Sequence, residues 1–126
     1  MSMLADLKQE LKKLEDEHGI EISAVVSRSG VPIAWNMASE AHVETFATLS
    51  ATILGASEVV YADLGKIPPR HIFIESQDGT FIATPLGTKA LLVGMSKARK
   101  SQELMDSLDK AVEKVKGVLS SERAGV

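Results

Sequence analysis

The sequence contains no cysteine among its 126 residues. That absence excludes disulfides, a thiolate nucleophile, cysteine-ligated zinc and iron–sulfur clusters. Aromatic residues make up only 4% of the chain, and the formal charge is −3 at pH 7. A surface that binds nucleic acid needs a basic field and exposed rings on which bases stack. The composition therefore argues against nucleic acid as a partner.

Long hydrophobic runs are also missing from the sequence. The longest apolar runs, such as Ala90–Val93, fall far short of the roughly 20 residues that span a membrane. Residues 1–17 alternate leucines with charges and lack the continuous apolar core of a secretory signal. We therefore expect a cytoplasmic protein without membrane insertion, built as a single domain over residues 1–126, with a core at about 4–119 and a tail at 120–126.

Three stretches have the periodicity of amphipathic helices. In residues 3–17 the leucines recur every three or four positions, which predicts a helix capped by Ser2 and ended by Gly19. The same reasoning predicts a long second helix over residues 40–64 and a third over residues 101–119. The charged residues of the first and third helices fall on the faces away from the apolar stripe.

Five short runs rich in β-branched and aromatic residues are predicted as strands. They lie at residues 21–27, 31–35, 71–76, 80–84 and 89–95. Turn sequences such as Ser-Gly and Asp-Gly separate neighbouring runs and favour hairpins. Pro32 cannot donate a ladder hydrogen bond, which predicts that the second strand lies at a sheet edge. The order helix, two strands, helix, three strands, helix is typical of an α+β fold with an antiparallel sheet.

The predicted second helix carries two apolar stripes. One stripe contains Val43, Phe46, Ile53, Val60 and Leu64. The other contains Ala47, Ala51, Leu54 or Gly55, Glu58 and Ala62. Small residues at this spacing allow a second backbone to approach closely. The second stripe either lies on the domain's own sheet or packs against a second subunit, and the presence of two stripes favours the subunit contact.

No motif for catalysis or metal binding stands out. His18, His42 and His71 lack metal-ligand spacing, no glycine-rich phosphate loop opens a helix, and no serine lies in a nucleophile elbow. We therefore expect no catalytic residue, no metal and no cofactor. The basic cluster Lys97–Lys100 is interpreted as a solvated loop, with contact to an anion or an acidic partner as the alternative.

The layout resembles the roadblock family, which includes the roadblock-type dynein light chains and small prokaryotic GTPase-associated proteins. The resemblance covers roughly residues 4–119, and three stretches carry it: EISAVVSRSGVPIA at 21–34, FATLSATILGASEVVYADLG at 46–65, and IFIESQDGTFIATPLGTKALLVGM at 72–95. Each stretch combines turn-forming residues with a pattern of apolar residues. The resemblance is specific because of the order and spacing of the three stretches together.

The resemblance implies a five-stranded antiparallel sheet in the order 2-1-5-4-3, with the first and last helices on one face and the long helix on the other. It also implies a homodimer in which the third strands pair edge to edge and the long helices pack together. The run at residues 72–75 contains no proline or lysine to protect an open edge, which agrees with such pairing. The expected interface residues are Ala47, Ala51, Leu54, Gly55, Glu58, Ile72, Phe73, Ile74 and Glu75.

For function, the resemblance implies a non-catalytic prokaryotic module that binds a small Ras-like GTPase and modulates its nucleotide cycle. A structural scaffold that ignores the nucleotide is the alternative, and a small-molecule sensor or enzyme with a pocket between sheet and helices ranks third. Arginine fingers stabilise GTP hydrolysis in other regulators. Arg28, Arg70 and Arg99 lie in predicted loops, where an exposed arginine is ordinary, and are weak candidates for that role.

Overall fold

The computed structural model describes residues 2–97 and 102–124. Its elements are α1 (Met3–His18), β1 (Ile20–Ser27), β2 (Pro32–Asn36), α2 (Val43–Asp63), β3 (Ile72–Ser76), β4 (Gly79–Leu86), β5 (Ala90–Ser96) and α3 (Gln102–Ala124). A short 3-10 turn at Glu40–His42 leads into α2. This order of elements confirms the predicted α+β fold. Arg99 and the basic cluster beyond Lys97 lie outside the described residues.

Helix ends follow local chemistry where the structure describes them. The Ser2 hydroxyl accepts a hydrogen bond from the Ala5 amide at 3.1 Å, as a serine N-cap should. Gly19 ends α1 with φ +68°, and its amide donates to the Glu15 carbonyl at 3.0 Å. At the other terminus α3 continues to Ala124, so the predicted tail is helical up to that residue.

Within the described residues, five strands form one antiparallel sheet in the order β2-β1-β5-β4-β3. This order is the one that the family resemblance implied. The strand that begins at Pro32 lies at one edge, as predicted, and β3 lies at the other. At the β3–β4 turn, Gly79 has φ +140°, and a Cβ there would lie 2.6 Å from the Ser96 carbonyl oxygen. Only glycine therefore fits this turn.

Helices α1 and α3 cover one face of the sheet. Their buried residues Leu7, Leu11, Leu14, Leu104, Leu108 and Val115 pack with Val25, Ile82 and Leu92 of the strands. Both helices bury a single apolar stripe of the kind predicted from the leucine spacing. The helix–sheet contact on this face forms the larger of the two hydrophobic clusters in the described chain.

Helix α2 alone covers the opposite face, where it packs over β1, β2, β4 and β5. Ala47 and Leu54 are 0% exposed and pack against Ala24, Val26, Ala83, Leu91 and Val93. The stripe that contains these two residues thus lies on the domain's own sheet. Because the sheet already covers Ala47 and Leu54 completely, neither presents surface to a second chain.

Candidate interaction surface

One flank of α2 remains both apolar and exposed. Leu49 is 57% and Val60 is 55% exposed, and the half-buried Ile53 lies between them on the same side of the helix. Phe46 belongs to this flank, and its ring meets that of Phe81 in β4 edge to face, with 6.2 Å between centroids. The contact shows that this flank faces the β4–β3 side of the sheet.

Strand β3 extends this apolar surface to the sheet edge. Ile72 pairs with Ala83 and Ile74 pairs with Phe81, and both β4 residues belong to the hydrophobic cluster under α2. The two isoleucines therefore lie on the same face of the sheet as α2. Ile74 is nevertheless 47% exposed, because α2 lies over the other four strands. We call Leu49, Ile53, Val60, Ile72 and Ile74 the apolar face.

The apolar face contains part of the interface expected from the sequence. Its β3 residues, Ile72 and Ile74, are among those expected, but on α2 it contains Ile53 and Val60 of the other stripe. Ala51 and Gly55 lie on the opposite flank of α2. On that flank, Thr48 lies next to Gly30 and Glu58 pairs with Arg28, so it faces the β1–β2 hairpin. Leu49 was absent from both predicted stripes. Its position one turn before Ile53 was the signal that could have found it.

The flank of α2 that faces the β1–β2 hairpin is fastened by Arg28. Its guanidinium pairs with the Glu58 carboxylate of α2 and donates to the carbonyls of Gly87 at 2.9 Å and Ala90 at 3.3 Å. The Arg28 amide also donates to the Lys89 carbonyl at 2.9 Å. Arg28 therefore joins the β1–β2 turn, the β4–β5 turn and α2. These contacts place it in an internal clamp rather than in a free loop.

Arg28→Ala is expected to lower the free energy of unfolding by about 2 kcal/mol, because it leaves Glu58 and two carbonyls without their partner. The Arg28 side chain is only 26% exposed. Arg70 is the matched control, since its side chain is 73% exposed and it pairs with Asp109 at 2.7 Å. Arg70→Ala should cost less than about 1 kcal/mol. Urea titration of the variants measures both, and equal losses would contradict the clamp.

The outer face of α2 is nearly free of charge. Between residues 46 and 62 the only charged residue is Glu58, and Arg28 neutralises it. Thr52, Ala56 and Val59 are exposed on this outer face, and we call them the platform.

In the described part of the chain, one helical segment, Glu40–Asp63, is long and apolar enough to cross a membrane, which by itself is weak evidence for a span. The apolar face and the platform account for much of that apolar character.

A polar cluster joins the start of β3 to α3. His71 directly precedes β3; its Nδ1 lies 2.9 Å from the Thr84 hydroxyl, and its Nε2 lies 2.9 Å from Asp109 Oδ1. Arg70 donates to the other carboxylate oxygen of Asp109 at 2.7 Å. The hydrogen bond from Arg70, and then the one from His71, hold the pKa of Asp109 below its usual range.

The lowered pKa of Asp109 predicts a pH dependence of stability. A carboxyl whose pKa is lower in the folded state stabilises the fold above its unfolded pKa, near 4, and loses that contribution as the pH falls through the folded pKa. Between about pH 5 and pH 2, the unfolding free energy of the native protein should therefore fall more steeply than that of Asp109→Asn. The difference should be modest, because Asp109 is partly solvated. Parallel slopes in urea titrations over this range would contradict the prediction.

A groove on the α1–α3 side is lined largely by charged residues. It has a volume of about 620 Å³ and lies between α1 and α3, with Lys13, Glu17, Asp106 and Lys110 among its lining residues. In residues 2–97 and 102–124, no group of three or more histidine, aspartate or glutamate side chains is placed to hold a metal. The apolar face and the platform together form the candidate interaction surface.

These features define a small α+β interaction domain, with one helix over an open sheet and two helices beneath it. The chain belongs to the Roadblock/LC7 family, whose domain model matches residues 7–95. Proteins of this family are generally non-catalytic regulatory or adaptor modules. A search of curated protein sequences gives no significant match.

Several solved structures of the same fold come from bacteria. MglB from Myxococcus xanthus has a TM-score of 0.84 at 17% identity, over 94% of this chain and 90% of that one. The gliding protein MglB from Thermus thermophilus scores 0.83 at 18% identity, over 96% and 93%. A Roadblock/LC7 domain from Streptomyces avermitilis scores 0.74 at 15% identity, over 91% and 98%. Because these sequence identities are only 15–18%, the structural similarity shows that the fold is shared and no more.

Proposed function

We propose that the chain is a non-catalytic homodimeric roadblock module that binds a small Ras-like GTPase in the cytoplasm and modulates its nucleotide cycle. The observation that carries the proposal is the exposed apolar face, which joins an unprotected sheet edge to one flank of α2. Membership of the Roadblock/LC7 family supports a regulatory or adaptor role. The GTPase is the partner that the sequence resemblance implied.

A second copy of the chain is the binding partner that fits the apolar face. An exposed edge strand rich in isoleucine is an aggregation hazard unless another strand pairs with it. Two copies related by a dyad supply each other with a pairing strand and an apolar helix flank. The proposed interface therefore keeps Ile72, Phe73, Ile74 and Glu75 of β3. On α2 it uses Leu49, Ile53 and Val60.

Because the chain has no cysteine, single introduced cysteines can test this dimer. In an antiparallel pair of β3 strands, only the residue at the dyad faces its own copy, with Cβ atoms about 5 Å apart. Among single-cysteine variants at residues 72–75, we expect one position to form a disulfide-linked dimer under mild oxidation. Val31→Cys, on the exposed β1–β2 turn, is the control and should stay unlinked. A native chain that sediments as a monomer would contradict the proposal.

We assign GTPase docking to the platform. Solvent-exposed helix faces normally carry charged residues, whereas Thr52, Ala56 and Val59 present none. In the proposed dimer the two α2 helices lie side by side, so the two platforms form one continuous uncharged surface. An uncharged surface of this kind is better suited to contact with a protein partner than to contact with water.

Affinity capture from source lysate, run in parallel with GDP and a non-hydrolysable GTP analogue, tests the GTPase proposal. A Ras-like GTPase enriched in one nucleotide arm is the expected result. Thr52→Arg should reduce its capture by about 10-fold or more, as a misplaced interfacial charge does. Gln9→Arg adds the same charge to exposed α1 on the other side of the sheet and should have no effect. Capture of the same proteins in both arms would favour the structural scaffold instead.

A further inference from the structure

Strand β3 has two kinds of attachment to its own protomer. Along its length it pairs with β4, and at its first residue it is tied through His71 to α3. The His71 side chain is 5% exposed, and both ring nitrogens have partners. Since an ionised carboxylate can only accept, Nε2 donates to Asp109, and in the neutral ring Nδ1 accepts from the Thr84 hydroxyl. The ring therefore links α3 to β4 at the point where β3 begins.

The other end of this link moves with α3. Asp109 follows Leu108, which is buried in the core between α3 and the sheet. The packing of Leu108 therefore holds the neighbouring carboxylate within hydrogen-bond distance of His71. The His71 ring also contacts the Phe73 ring edge to face, with 5.9 Å between centroids. The position of the edge strand is thus linked to the position of a helix on the opposite side of the sheet from the apolar face.

We propose that His71, Thr84 and Asp109 form a latch that couples the seating of α3 to the order of β3. Through this latch, the position of α3 would control self-association at the β3 edge. The inference rests on the proposed homodimer. Coupling of this kind is reciprocal: if a seated α3 favours pairing of β3, then pairing of β3 must stabilise the seating of α3.

The test uses the full chain with Asp109→Asn, which replaces the charge-assisted hydrogen bond from His71 with a weaker one and keeps the side-chain shape. Asp106→Asn is the matched control, because it makes the same change one turn earlier on α3, where Asp106 accepts only from Gln102 among the described contacts. Hydrogen exchange and sedimentation equilibrium are measured for each protein. For Asp109→Asn we expect amide exchange over residues 72–75 to rise about 10-fold and the dimer Kd to rise by a similar factor. Asp106→Asn should match the native protein.

Thr84→Val is the second variant, because it removes the hydroxyl and keeps the branched shape of a buried strand residue. It should reproduce the local rise in exchange. In the native protein, dimerisation should also slow exchange over residues 105–112 of α3, and Asp109→Asn should abolish that effect.

Three results would overturn the latch: unchanged exchange over residues 72–75 in both variants, a rise spread evenly over the whole sheet, or a local rise with an unchanged dimer Kd. A native chain that is monomeric at every concentration would remove the proposed homodimer and, with it, the control of self-association. Exchange over residues 72–75 in that monomer would still decide whether Asp109 holds the edge strand, so the two failures are distinguishable.

Discussion

Leu49→Glu is expected to leave each protomer folded and to weaken self-association by about 100-fold or more, since like charges brought together across an interface cost several kcal/mol. Leu49 lies on the exposed flank of α2, so glutamate there is solvated in the monomer, and it is a good helix former. In the dimer, each copy would bring one carboxylate into the apolar face. Sedimentation equilibrium measures the change.

Val59→Glu is the matched control for Leu49→Glu. Val59 is also an apolar, exposed residue of the same helix, but it lies on the outer face rather than on the flank toward β3. Its dimer Kd should stay within about threefold of the native value, as expected for a charge outside an interface. If both variants dissociate equally, or if neither does, the assignment of the interface to this flank of α2 is wrong.

Ala47→Glu is expected to prevent folding of the protomer. Ala47 is fully buried between α2 and the sheet, and a longer, charged side chain there would meet only apolar neighbours. The cost of an unpaired buried carboxylate is several kcal/mol, a large part of the roughly 5–15 kcal/mol that stabilises a small domain. Circular dichroism should show loss of cooperative thermal unfolding.

Leu54→Ala gives a milder form of the same test, with an expected loss of about 2–5 kcal/mol in unfolding free energy. If either residue belonged to a dimer seam instead, its variant would be a stable folded monomer. That outcome would mean that α2 is rotated relative to the arrangement described above.

Parts of the fold could be predicted because their causes lie within a few residues. Ser2 caps α1 through an amide three residues away, and Gly19 ends it through its own left-handed conformation. The Asp78-Gly79 turn follows from an Asp-Gly pair whose glycine has a positive φ. The edge position of β2 follows from Pro32, whose ring removes a donor whatever the tertiary context. Strand order came from the family resemblance, because short strands of similar composition do not specify their neighbours.

The orientation of α2 could not be predicted in the same way. Apolar residues occur on most sides of this helix, so its periodicity does not select one buried face. The two key polar links also join residues far apart in the chain: Arg28 and Glu58 are 30 residues apart, and His71 and Asp109 are 38 apart. Nothing local to Arg28 distinguishes an internal clamp from an exposed turn arginine.

By itself, the sequence determined the number, order and approximate limits of the helices and strands, because backbone conformation and hydrophobic periodicity are local properties. The tertiary structure decided which flank of α2 meets the sheet and which stays exposed beside β3. That choice depends on how side chains from β1, β4 and β5 fill the space under the helix. Packing of this kind is a property of surfaces assembled from distant segments, and it is what separates the core residues Ala47 and Leu54 from the exposed Leu49 and Val60.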